Sequence, residues 1–142
     1  MSVSGVYCAF KADLALANIK VTTAALKCAL MTSTHNAASF DDTKKVWADV
    51  SANETSGTGY TAGGQAVTMT VTEVTVTKLD IETSTTWTIT GSLTARSCVI
   101  YDTGNADIDD SLICSLDFGA DKTVTDGTFS ISWNDSGVIT LT

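Results

Sequence analysis

Apolar and polar residues alternate through much of the chain, which is the pattern of strands with one buried face. The odd positions from Trp87 to Tyr101 are mainly apolar or small, and they predict one long half-buried strand. A second run, SLICSLDFG at 111–119, predicts a strand whose apolar face carries four residues: Leu112, Cys114, Leu116 and Phe118. The second half of the chain is therefore predicted to be β-structure.

The alternation breaks once, in the region just before these long strands. Apolar residues at 67, 69 and 71 alternate with threonines, and the period resumes in the opposite phase with Val74 and Val76. Because a one-residue slip turns the later side chains to the other face, we expect a bulge or a tight turn near Thr72 and Glu73.

The C-terminal residues predict a hairpin. One strand carries Phe129, Ile131 and Trp133, and the other carries Ile139 and Leu141. The four residues between the strands, Asn-Asp-Ser-Gly at 134–137, favour tight turns and predict the loop that joins them.

The first third of the chain is less periodic. The stretch KADLALANIKVTT (11–23) fits either a short helix or a strand, whereas AALKCALMTS (24–33) predicts a strand. Side chains alternate across a strand, so this one would place Leu26, Cys28 and Leu30 on the same face.

A short helical segment is predicted in FDDTKKVWADV (40–50), with Asp41 or Asp42 as its N-cap. The whole pattern gives about seven or eight strands and one short helix, and it predicts an all-β fold, an antiparallel β-sandwich or jelly-roll-like architecture. We expect residues 1–142 to form one domain, in which residues 1–20 could be an N-terminal arm.

The amino-acid composition supports the β prediction and limits the classes of molecule that the protein could bind. The chain has 25 Thr, 14 Ser and no Pro, and threonine favours strands. The net charge is −8 and the one basic cluster is Lys44 and Lys45, which argues against nucleic-acid binding because that binding neutralises phosphates. No apolar segment reads as a membrane span, and the N-terminal residues do not read as a secretion signal.

Four cysteines occur at widely separated positions: Cys8, Cys28, Cys98 and Cys114. We interpret them as buried thiols of a protein made in a reducing cytoplasm, with disulfides formed later in an extracellular particle as the alternative. The long gaps and the single histidine argue against a zinc site.

The glycine-rich stretch GTGYTAGGQ (57–65) raises the question of a phosphate-binding loop. It lacks both the dinucleotide spacing G-x-G-x-x-G and the G-K-[ST] ending of nucleotide-binding loops. We interpret it as a geometric element, in which glycines supply positive φ angles and close packing while Tyr60 anchors the loop to the body.

The remaining residues considered for catalysis are better explained by structural roles. His35, in the polar stretch TSTHNAAS, is predicted to be a surface or loop histidine, because no acid is placed beside it. The carboxylates Asp80, Glu82 and Asp117 lie beside turns or on polar faces, which favours solvated charges over a glycosidase-like pair.

A calcium site is the one metal possibility, in the loop YDTGNADIDDS (101–111). The loop lacks the ordered spacing of calcium-binding loops, so we favour an acidic hairpin loop. The candidate oxygen ligands are Asp102, Asn105, Asp107, Asp109 and Asp110. Trp47, Trp87 and Trp133 could form a sugar-binding platform, but each lies in an apolar pattern that favours the core. We predict no catalytic, cofactor-binding or metal-ligating residue.

Four stretches, in this order, resemble a known family: VWADVSANETSGTGYTAGGQ (46–65), ARSCVIYDTG (95–104), SLICSLDFG (111–119) and GTFSISWNDSGVITL (127–141). They are similar to small Thr-rich virion proteins encoded in the structural gene blocks of tailed bacteriophages and prophages. Eight residues match the motif positions and are interpreted as fold-making: Trp47, Tyr60, Gly63, Gly64, Asp117, Phe118, Gly119 and Trp133.

The resemblance implies a non-enzymatic virion protein, made in the bacterial cytoplasm, that binds the major capsid protein as a decoration or cement protein. A symmetric shell favours a homo-oligomer, and a trimer is the expectation for a capsid cement. Two alternatives stay open: a structural protein of the tail or fibre, which would bind tail components, and a glycan- or receptor-binding β module.

Overall fold

A computed structural model describes residues 4–35, 40, 43–73, 76–105 and 107–141. In this part of the chain eight strands form two antiparallel sheets, with one α-helix, which confirms the predicted all-β, sandwich-like class. The elements are β1 (Gly5–Val6), α1 (Cys8–Ala15), β2 (Leu26–Met31), β3 (Gln65–Val67), β4 (Thr70–Glu73), β5 (Thr77–Asp80), β6 (Thr85–Asp102), β7 (Ser111–Ile131) and β8 (Ile139–Leu141).

The larger sheet has the strand order β1-β7-β6-β2-β3, and the smaller has the order β4-β5-β8. One face of the larger sheet packs on the smaller sheet in a main core that includes Trp87, Leu79 and Ile139. Its other face carries a second cluster, in which Val50 and Tyr101 are buried. The larger sheet is therefore covered on both faces around residues 97–102 of β6, whereas around residues 85–95 alternate side chains are exposed on the second face.

The two long strands β6 and β7 pair with each other, and their register shifts at three places. At the shift between Ala95 and Ser97 one residue of β6, Arg96, lies opposite four residues of β7, 118–121, and the β6 side chains change faces across this interruption. Leu93 therefore faces the main core, whereas Val99 lies in the second cluster. The predicted long strand is confirmed, but the prediction that its odd positions share one face is wrong beyond Ala95.

A similar shift divides the predicted apolar face of β7. Cys114 lies opposite Ile100, but Leu112 lies opposite Tyr101, so Ile113 is the extra residue. Leu112 belongs to the second cluster, while Cys114 and the residues at 116 and 118 contact the main core. The strand prediction is confirmed, and the placement of Leu112 with the others is wrong.

The predicted C-terminal hairpin is wrong in its pairing. β8 pairs with β5, where Ile139 lies opposite Leu79, and it does not pair with the strand that carries Phe129. The predicted turn is present, because Gly137 N donates to Asn134 O at 2.9 Å. This turn carries the chain from the larger sheet to the smaller one, where Ile139 is buried.

The break predicted near Thr72 and Glu73 is confirmed as a chain reversal directly after Glu73, which ends β4 and pairs with Thr77 of the antiparallel β5. Residues 74–75, between the two strands, lie outside the described residues. The chain changes sheets earlier, between β3 and β4, where Met69 is fully buried.

The N-terminal segment packs on the body of the fold in its described part. Residues 8–15 form α1, which resolves the helix-or-strand ambiguity in favour of a helix for part of that stretch, and its Phe10 is fully buried. Gly5 of β1 pairs with Ser115 of β7. Residues 4–15 therefore pack against the β-rich body.

The helical segment predicted in residues 40–50 is shorter than expected. It is a 3-10 helix, Trp47–Asp49, followed by a second one, Ser51–Asn53. The proposed N-caps Asp41 and Asp42 lie outside the described residues. The capping carboxylate is Asp49, whose Oδ2 accepts from Lys45 N at 2.9 Å and Val46 N at 3.0 Å, and these bonds lower the pKa of Asp49.

Candidate functional site

The glycine-rich loop is held to the larger sheet by two side chains, Glu54 and Tyr60. The Tyr60 hydroxyl donates to Glu54 Oε1 at 2.7 Å and accepts from Leu30 N of β2 at 2.9 Å. Glu54 Oε1 also accepts from Gly63 N at 2.6 Å. Burial, and then the bond to Glu54, raise the pKa of Tyr60, so this hydroxyl stays protonated as a donor. The predicted anchoring role of Tyr60 is confirmed.

Three of the four glycines of this loop have the positive φ angles expected of a geometric element. Gly59, Gly63 and Gly64 have φ values of 92°, 83° and 83°. At Gly64 a side chain would overlap the carbonyl oxygen of Cys28, so the two backbones approach as only glycine allows. The Gly63 amide, which a phosphate loop would direct at its ligand, is already bonded to Glu54.

A stacked pair joins this loop to the long strands. The Trp47 and Tyr101 rings lie parallel, with centroids 4.7 Å apart and an interplanar angle of 4°. The Tyr101 hydroxyl donates to Gly63 O at 2.7 Å, and burial raises the pKa of Tyr101 to about 12. One face of Trp47 is therefore covered by protein, which leaves only the other for a ligand.

The other two tryptophans, Trp87 and Trp133, contribute to the main core. Trp87 is 1% exposed, as predicted for a core residue. Trp133 is half-buried, packs against the main core and donates from Nε1 to Thr85 Oγ1 at 3.1 Å. The three side chains lie in separate contacts and do not form a shared platform for a sugar.

The acidic loop between β6 and β7 is turned inward at two positions. Asp102 and Asn105 are 1% and 5% exposed, and burial raises the pKa of Asp102. The anchor is Asp13 of α1, whose Oδ2 accepts from Asn105 Nδ2 at 2.9 Å and from Ser111 Oγ at 2.7 Å. The described residues contain no group of three or more His, Cys, Asp or Glu side chains placed to hold a metal ion.

Asp13 was missed by sequence reasoning. Its one signal was its position directly before the mostly apolar stretch LALANIK (14–20). The helix-or-strand state of that segment was ambiguous. The loop itself is the predicted hairpin loop, since β6 and β7 are antiparallel neighbours. Its polar groups hold the loop to α1.

His35 was predicted to be a surface or loop histidine: it lies in a loop after β2, but the surface alternative is wrong. His35 is 1% exposed, and its Nε2 lies 3.4 Å from Ser115 Oγ, a residue that sequence reasoning did not single out. Burial, and then the nearby Lys44 charge, lower the pKa of His35 to about 4, so the ring is neutral at pH 7. A Ser–His pair can act on a substrate only if the substrate reaches it, and Ser115 is fully buried.

Three of the four cysteines form a row on adjacent strands. Cys28 of β2 lies opposite Ile100, two residues from Cys98 on β6, and Cys114 of β7 also lies opposite Ile100. All three are free and buried in the main core, as predicted, whereas the burial prediction is wrong for Cys8, which is exposed on α1. The contact with Cys28, together with burial, raises the pKa of Cys98, which keeps the thiol protonated and unreactive.

The predicted solvated carboxylates make contacts at turns and beside the interrupted register of β6 and β7. Asp117 Oδ1 accepts from Arg96 Nε at 2.8 Å, and this bond lowers the pKa of Asp117. Asp80 Oδ1 accepts from Ile81 N at 2.8 Å, and Glu82 is exposed. The Arg96–Asp117 pair therefore spans the place where the register shifts.

Comparison of the chain with protein-family models, with curated proteins and with solved structures found no match. Among the described helices, none is long and apolar enough to cross a membrane. The function must therefore be inferred from the contacts of the chain's own residues.

Proposed function

We propose that this protein is a non-enzymatic structural component of a tailed-bacteriophage virion, and that it binds the outer surface of the capsid shell as a decoration or cement protein. The observation that carries the proposal is the way three of the four family-like stretches meet. Trp47 stacks on Tyr101, whose hydroxyl bonds the Gly63 carbonyl, and Val46 forms a β-bridge with Ser111. The residues that carry the resemblance thus hold one another in place.

The polar side chains near these stretches also make contacts that hold the fold together. Glu54 anchors the glycine-rich loop, Asp117 pairs with Arg96 across a bulge, and Asp13 fixes the acidic loop. A decoration protein needs a stable fold with a particular surface, and it needs no reacting group. The contacts of these carboxylates support that requirement.

The proposed partner is the major capsid protein, and the proposed location is the mature virion, after synthesis in the host cytoplasm. Net charge of −8 supports a protein partner over the packaged nucleic acid, because like charges repel. Repeated copies on a symmetric shell support a homo-oligomer.

The test is co-sedimentation of the purified protein with expanded capsids of the phage whose genome encodes it. Unexpanded proheads, isolated tails and host cells serve as parallel targets. We expect saturable binding to expanded capsids alone, and the plateau gives the number of copies per shell. Binding to tails or to cells, with none to capsids, would overturn capsid decoration in favour of a tail component or a receptor-binding module.

A further inference from the structure

The outer edge of β7 is open along most of its length. β7 lies next to the short β1, which pairs with it only at Cys114 and Ser115. Beyond Ser115 the described residues supply no strand to that edge, while the other edge of β7 pairs with β6. An open edge presents unpaired N–H and C=O groups, which are a template for pairing with another strand.

A groove of about 520 Å³ lies against this part of β7, lined by residues 128–132 together with Phe118, Lys122, Thr123 and Val124 of the same strand. Its walls come from both faces of β7: Phe129 and Ile131 face the main core, and Thr128 and Ser130 point to the exposed face. An added strand would lie in this groove. Its inward side chains would contact Phe129 and so extend the main core.

The charge of this segment favours a second copy of the chain as the occupant. Residues 127–132 read GTFSIS and carry no charge, in a chain whose net charge is −8. Two copies can therefore pair here without placing one carboxylate opposite another. Edge strands are usually protected by lysine, proline or a bulge. Lys122 lines the groove, but residues 127–131 contain no lysine or proline and pair with β6 in regular register.

We propose that residues 127–131 of β7 form a self-association edge. Two copies pair this edge antiparallel about a two-fold axis, with Phe129 opposite the same residue of the second copy and Thr128 opposite the second copy's Ser130. The two larger sheets then join into one continuous sheet, and a two-fold contact of this kind closes on itself. The inference goes beyond the proposed function and does not depend on capsid binding.

The test is sedimentation equilibrium of the full chain and two double variants. Thr128→Lys with Ser130→Lys would place two like charges opposite each other at each of two positions in the paired edge. Thr86→Lys with Thr88→Lys is the matched control: these residues are also exposed and lie directly opposite 130 and 128, but on β6, away from the edge.

We expect the wild-type chain to sediment at twice its 14.8 kDa mass. The edge variant should dissociate with a Kd raised at least about tenfold, and the control should keep the wild-type Kd. Both variants carry the same added positive charge, which lowers the overall repulsion between acidic copies. Weaker association of the edge variant alone would therefore be specific to the edge.

A monomeric wild type at about 100 µM, a mass of three copies, or an equal effect of the two variants would overturn the proposal. Hydrogen exchange of the wild-type chain is a second measurement that needs no variant. Edge amides within residues 127–131 should exchange more slowly as the protein concentration rises. Exchange that does not depend on concentration there would contradict the pairing.

Discussion

At the scale of single residues, Gly64 is one of the positions where the backbone admits only glycine. Its φ is 83°, and a side chain would overlap the Cys28 carbonyl oxygen. We expect Gly64→Ala to lower the free energy of unfolding by about 3 kcal/mol, because it adds backbone strain to the displacement of β2. Urea denaturation of both proteins measures this difference.

Gly91 provides the matched control for Gly64. Its φ is 80°, but its side-chain position has no atom within 4 Å. Gly91→Ala should therefore cost only the strain of the positive φ, about 1 kcal/mol. Equal losses for the two variants would show that the close approach of the glycine-rich loop to β2 has no energetic weight.

His35 predicts a pH dependence of stability. Its folded-state pKa of about 4 lies below the ordinary value of 6.5, so the unfolded chain binds the proton more tightly. The stabilising contribution is present above pH 6.5 and is lost as the pH falls toward 4. Between pH 7 and pH 5 we expect the free energy of unfolding to fall by about 2 kcal/mol from this group.

A His35→Gln variant isolates that contribution. The difference in the free energy of unfolding between wild type and variant should shrink as the pH falls from 7 to 5. Asp102, whose raised pKa acts in the opposite direction, is present in both proteins and cancels in the difference. A difference that stays constant over this range would show that the buried ring does not titrate as described.

At the scale of elements, α1 is the clearest test of whether the N-terminal segment belongs to the fold. Phe10 is fully buried in the main core, whereas Leu16, at the end of the same helix, is 67% exposed. We expect Phe10→Ala to lower the free energy of unfolding by about 4 kcal/mol and Leu16→Ala to change it by less than about 0.5 kcal/mol. Thermal and urea denaturation would measure both; a tolerated Phe10→Ala would mean that α1 is only loosely attached.

The strands could be located from the sequence, but their pairing could not. A period of two depends on the local pattern, so β2, β6 and β7 were found. The register shift at Arg96 depends on the strand opposite, and the local sequence does not contain that information. Likewise, residues 134–137 specify a turn but do not specify that β8 pairs with β5.

The same distinction holds for the candidate site. The glycine-rich loop could be interpreted because positive φ and close packing are requirements of glycine itself. The burial of His35 and the role of Asp13 depend on partners far along the chain: 80 residues separate His35 from Ser115, and 92 separate Asp13 from Asn105. His35 lies in a polar stretch, so the local sequence gave no sign of its burial. Asp13 gave only its position beside an apolar stretch.

At the scale of the whole molecule, the rates at which the four cysteines react measure how the fold opens. Cys28, Cys98 and Cys114 lie on three adjacent strands and are at most 2% exposed, whereas Cys8 is exposed. A thiol reagent should therefore modify one cysteine per native chain quickly and all four after denaturation. A Cys8→Ser variant should remove the fast reaction and leave the folded protein otherwise unchanged.

The slow reaction of the remaining three thiols in the Cys8→Ser variant tests whether the larger sheet unfolds as one unit. β2, β6 and β7 share one ladder and one core, so exposing any of these thiols requires the strands on both sides to separate. We expect the three cysteines to be alkylated at one common rate, which falls as the stability measured in urea rises. Mass spectrometry of the partly labelled protein would then show unmodified and triply modified chains. A build-up of chains labelled at Cys114 alone would show that β7, beside its open edge, detaches before the rest of the sheet.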